Sequence, residues 1–144
     1  MITKRFLFTG VVTSLVNLLL HALTYAFVLK DVYAAFPAGS KEFTEQLARR
    51  PGDLVIWAMV VTTFTMGFFI TLIMKWSWAR TFTTGLKYGA AAGLLFWGSV
   101  NFGLYASSNH FSLESVVIDF VCSSAVMTVS AAFAAWMLGR VKEE

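Results

Sequence analysis

Long apolar runs separated by short polar stretches set the organisation of this chain. Spanning the hydrocarbon core of a bilayer takes about 20 apolar residues per helix. Four runs reach that length: residues 6–29, 54–74, 85–105 and 113–138. The pattern therefore predicts an all-α integral membrane protein, a single domain over 1–144, built as an antiparallel four-helix bundle. The first run follows Lys4 and Arg5 as a signal peptide would. It far exceeds the apolar core of about 7–15 residues that such peptides have, so it is read as a retained helix.

On a wheel of about 100° per residue, Gly10, Thr13, Ser14, Asn17, His21, Thr24 and Tyr25 share one face of the first helix. Lipid cannot satisfy polar groups, so this face is expected to meet other helices or a cavity. In the second run, Thr63, Gly67 and Thr71 form a line of small residues suited to close helix packing. Trp57, Trp76 and Trp78 flank that run, as an interfacial aromatic belt requires. The third run opens with Gly85, Gly89 and Gly93, two GxxxG steps in register, where a neighbouring backbone can come close.

Between the first two runs lies a polar stretch in which 40–49 reads as a short amphipathic helix on the membrane surface. Ser40 caps it, Phe43 and Leu47 share a face, and Glu45 and Arg49 make an i, i+4 pair. The turn after the third run is short, so the third and fourth helices are expected to be neighbours. Ser112 is placed to cap the fourth helix, with Glu114 in its first turn, where a carboxylate suits the helix dipole.

Composition strengthens this picture. The chain is 58% hydrophobic and 13% charged, against about 25% charged in soluble domains. The net charge of +3 is spread over loops and ends, which gives no basis for nucleic-acid binding. The single cysteine, Cys122, excludes an internal disulfide and any CxxC zinc site. Lys4, Arg5, Lys75, Arg80, Lys87, Arg140 and Lys142 fall on one side of a four-span chain. Lys30, Lys41, Arg49 and Arg50 on the other side are offset by Asp31, Glu42, Glu45 and Asp53. The positive-inside rule then places both termini in the cytoplasm.

At 1.5 Å per residue, His21 lies roughly 12 Å, Asp119 roughly 9 Å and Asn101 roughly 6 Å below the outer end of its helix. Intramembrane polar groups mark sites by default. His21, Asp119, Asn17, Asn101 and Tyr105 are therefore the candidate polar site, with Asn109, His110 and Glu114 at its rim. Asp119 has bland partners in Ser115 and Ser123 on its own helix. Pairing of His21 with Asp119, directly or through one water, is the sharper expectation.

The segment GLLFWGSVNFGLYASSNHFSLESVVIDFVCSSAV resembles the last two helices of small bacterial four-helix inner-membrane proteins grouped as domains of unknown function. The shared features are Gly89 and Gly93, the polar turn Asn109 to Ser112, and Asp119. Where those proteins often carry Trp-Gly after the aspartate, this chain has Cys122 and Ser123. The resemblance implies a multi-pass protein of a bacterial inner (plasma) membrane and implies no activity.

Three functions remain open. The first is a binding or accessory subunit of a membrane complex, whose partners are the bilayer and a homo-oligomer or larger assembly. The second is a small-molecule or proton-coupled carrier working as an oligomer, with His21 and Asp119 as its ionisable pair. The third is a lipid-acting intramembrane enzyme using His110 and Glu114 at i, i+4. No Walker loop, HExxH or GxSxG is present. No metal site is predicted, and no cofactor is indicated.

Overall fold

A computed structural model describes residues 3–40, 42, 43, 46, 49 and 51–140. Four long helices account for nearly all of it: α1 (Lys4–Ala35), α2 (Ile56–Trp76), α3 (Phe82–Ser107) and α4 (Leu113–Arg140). No strand occurs among the described residues. Most of the predicted surface helix at 40–49, including Glu45 and Leu47, lies outside the described residues.

Local chemistry sets the helix ends. The Thr3 hydroxyl accepts the Phe6 amide at 3.2 Å and starts α1. Thr81 and Thr84 form a reciprocal capping box at the start of α3. Ser112 caps α4, accepting the Ser115 amide at 3.2 Å, while its own hydroxyl donates to the Phe36 carbonyl at 2.8 Å. That second bond ties the end of α1 to the start of α4. Between α2 and α3, Trp78 adopts a left-handed backbone (φ 55°), a rare conformation for a bulky residue.

α1 runs past Leu29, where the first apolar run ends, to Ala35. Within it, Tyr25–Leu29 forms a π-helical turn. Such a turn carries about one extra residue and shifts the register of everything beyond it.

α1, α2 and α4 are long and apolar enough to cross a membrane. α3 has the length, 26 residues, but its glycines, threonines, Lys87 and Asn101 dilute its apolar content.

The tightest packing joins α3 to α4. Gly85, Gly89 and Gly93 are buried. A Cβ at Gly85 would stand 2.6 Å from the Ala132 Cα, one at Gly89 2.6 Å from the Ala131 Cβ, and one at Gly93 2.9 Å from the Ser124 carbonyl oxygen. Steps up α3 thus meet steps down α4. On α4, Ser124, Ala131, Ala132 and Ala135, which meet these glycines, are all buried, so neither helix holds the other off. α1 and α2 touch most closely where Gly67 meets Ser14: a Cβ on Gly67 would overlap the Ser14 side chain and backbone. A core of Ile70, Met74, Met127, Ala131, Ala134, Ala135 and Leu138 joins α2 to α4.

Candidate functional site

The polar face of α1 points inward over its first half. Thr9, Gly10, Thr13, Ser14 and Asn17 are buried, whereas Tyr25, beyond them, is exposed. The Asn17 carboxamide oxygen accepts the Ser130 hydroxyl of α4 at 3.1 Å, a buried bond between elements far apart in the chain. Four other buried polar atoms have no partner among the described residues: the Thr9 and Thr13 hydroxyls, the Trp97 indole nitrogen and the Asn101 amide nitrogen.

Beyond the Ser14–Gly67 contact, α1 and α2 diverge and leave a cleft of about 460 Å³. Leu18, Val55, Met59, Met66 and Trp97 supply most of its apolar wall. Asn17, His21, Thr62 and Thr63 bring polar groups to it, and Arg49 stands at the end nearest the connection between α1 and α2. The His21 ring meets Trp97 edge-on, centroids 5.6 Å apart. The Thr62 hydroxyl is taken up by the Ala58 carbonyl at 2.9 Å. These dimensions and this lining suit a small apolar or amphiphilic molecule.

A second group of polar side chains gathers around Asp119. Its carboxylate accepts the Ser123 hydroxyl at 2.8 Å, one of the two bland partners available on its own helix. His21, Tyr33 and Cys122 all lie within electrostatic reach of Asp119. Among the described residues no hydrogen bond joins His21 to Asp119; the imidazole meets Trp97 edge-on instead.

Tyr33 reaches this group because of the π turn. Twelve residues separate it from His21, which on a regular helix is a rotation of about 120°. The turn's extra residue moves Tyr33 back by about 100°, onto the His21 face. Tyr33 also packs against Phe111, ring centroids 6.2 Å apart, beside the Ser112–Phe36 tie.

The remaining candidates separate by level. Asn101 is 5% exposed, but Tyr105, one turn on, is 42% exposed and does not join it. Gly103, two residues before Tyr105, faces open space: a Cβ there would meet nothing within 4 Å. Asn109, His110 and Glu114 are exposed at the turn between α3 and α4. His110 makes ring contacts with Phe43 and Phe111, at 6.3 and 6.5 Å. Among the described residues, no three His, Cys, Asp or Glu side chains are grouped to hold a metal ion.

Arg49, Tyr33 and Ser130 belong to the sites but were not singled out as site residues by sequence reasoning. Tyr33 was hidden by the register shift. Arg49 was paired with Glu45 on a surface helix. Ser130 carries no signal of its own among the many small residues of α4.

No protein-family model matches the chain, and no curated protein or solved structure matches it either.

Proposed function

We propose that this is a multi-pass protein of a bacterial inner membrane that acts as a binding or accessory subunit, with the cleft between α1 and α2 as its binding place. In this reading all four helices cross the bilayer as an antiparallel bundle with both termini in the cytoplasm. The glycines of α3 are masked by α4, so its low apolar content suits a helix covered by protein along one face. The cleft and the Asp119 group then occupy the outer half of the membrane.

The single observation that carries the reading is the cleft: a space of about 460 Å³ with apolar walls and few polar groups, Asn17 and His21 among them. The carrier reading has one observation in its favour, the gathering of His21, Tyr33 and Cys122 around Asp119. The carboxylate already has a hydroxyl partner in Ser123, and among the described residues no hydrogen bond links it to His21. The binding reading therefore stands in front.

Two measurements test it. A reporter active only in the cytoplasm, fused to Glu144, should be active; a silent reporter on a well-expressed fusion contradicts four crossings, since three would put the C-terminus outside. Organic extraction of the purified protein should release a membrane-soluble molecule, and Met59→Trp, which fills the cleft, should reduce its yield. An equal yield from the variant would remove the cleft from the account.

A further inference from the structure

Building on the binding reading, we infer that the cleft seats one acyl chain of an anionic phospholipid, with the headgroup phosphate held by Arg49. Its walls run along α2 from Val55 to Met66. At 1.5 Å per residue that is about 16 Å, close to half of a hydrocarbon core of about 30 Å. The groove is thus as deep as one leaflet, the length a lipid chain has and a compact polar solute lacks. Leu18 and Met59, on its two sides, are 43% and 47% exposed, so a chain can enter sideways from the bilayer. Met59 and Met66 give the walls unbranched, polarizable side chains that adapt to an irregular occupant.

Charge argues for the headgroup. Arg49 is exposed at the loop end of the groove, where a lipid whose chain lies along Val55 to Met66 would carry its phosphate. Its guanidinium makes a long hydrogen bond, 3.5 Å, to the Asp53 backbone carbonyl. Its planar guanidinium fork suits the geometry of a phosphate. Deeper in, the polar side chains that the described residues bring to the groove are uncharged amides and hydroxyls and an imidazole, Asn17, Thr62, Thr63 and His21, with no carboxylate among them.

The test uses the full chain in detergent with equal amounts of dioleoylphosphatidylglycerol and dioleoylphosphatidylcholine, read by native mass spectrometry. The parent should retain the anionic lipid about fivefold over the zwitterionic one, the preference that one basic residue near a headgroup supplies. Arg49→Gln should retain both lipids equally, and Arg49→Lys should keep part of the preference. Met59→Trp should lose both lipids; Ala58→Phe, which fills the same space, serves if Met59→Trp is not helical and monodisperse. Full preference in Arg49→Gln overturns the inference. Equal retention by the parent, lost in Met59→Trp, also overturns it but leaves the cleft as a binding place. Retention unchanged by both filling variants overturns the inference and the binding reading together.

Discussion

The two helix pairs of this protein use small residues in opposite ways. Along α3 and α4 the small positions repeat: Gly85, Gly89 and Gly93 on one helix, Ser124, Ala131, Ala132 and Ala135 on the other. The backbones stay together over the two turns from Gly85 to Gly93 and the seam closes. Between α1 and α2 the close approach centres on Ser14 and Gly67. Leu18, one turn from Ser14, and Met66 and Met59, one and eight residues before Gly67, line a cleft between the two helices. Along α3 and α4 small residues in series make a seam, whereas Ser14 and Gly67 mark a crossing point of α1 and α2 with space beyond it. Dispersion between closely packed backbones is the main attraction available to helices in lipid. The seam is therefore the part that holds the bundle, and the crossing is the part free to accept an occupant.

The largest effect should come from breaking the seam. Gly89→Leu places side-chain atoms where Ala131 and Thr128 already stand and should cost about 3 kcal/mol, the upper range for overpacking. Thermal unfolding in detergent measures it. Gly103→Ala, on the same helix but facing open space, should stay within about 0.5 kcal/mol of the parent. Equal losses in the two variants would mean that the seam has no special standing.

A smaller loss is expected at the crossing. Gly67→Ala should cost about 2 kcal/mol by overpacking. Ser14→Gly should not restore it, because the Ser14 backbone as well as its hydroxyl occupies the space. Recovery in the double variant would show a contact of side chains alone and a looser crossing than described.

The smallest effect belongs to the bond that fixes the deep end of the cleft. Ser130→Ala removes the donor to Asn17 and should cost about 0.6 kcal/mol, the average for interhelical hydrogen bonds in membranes. The same variant frees the Asn17 amide beside the cleft, so retained lipid should change more than stability does. A stability loss with unaltered lipid retention would separate Asn17 from the binding place.

How much of this was readable in advance follows from the range of each interaction. Helix existence and the inward face of α1 at Gly10, Thr13, Ser14 and Asn17 follow from composition and a period of 3.6 residues, both local properties. The glycine series of α3 was legible for the same reason. Tyr33 was not, because the π turn at Tyr25–Leu29 breaks the period on which the wheel depends. Asn101 and Tyr105 share a helix face by spacing, yet only Asn101 is buried, because burial depends on whether a neighbour reaches that height. The cleft is a space between two helices that diverge, and no single segment encodes it. Its residues read one at a time, Leu18, Met59 and Trp97 among them, look like ordinary membrane-helix side chains.

The claim on which the account turns is that a lipid chain enters between α1 and α2 and comes to lie against Trp97. Replacing Trp57, Trp76, Trp78 and Trp136 by Phe leaves Trp97 as the only indole. Reconstituted in vesicles of phospholipid brominated along its acyl chains, this protein should show strongly quenched emission, and Ala58→Phe should relieve the quenching by filling the cleft. Emission equally quenched with the cleft filled, or not quenched at all with the cleft open, would contradict the account.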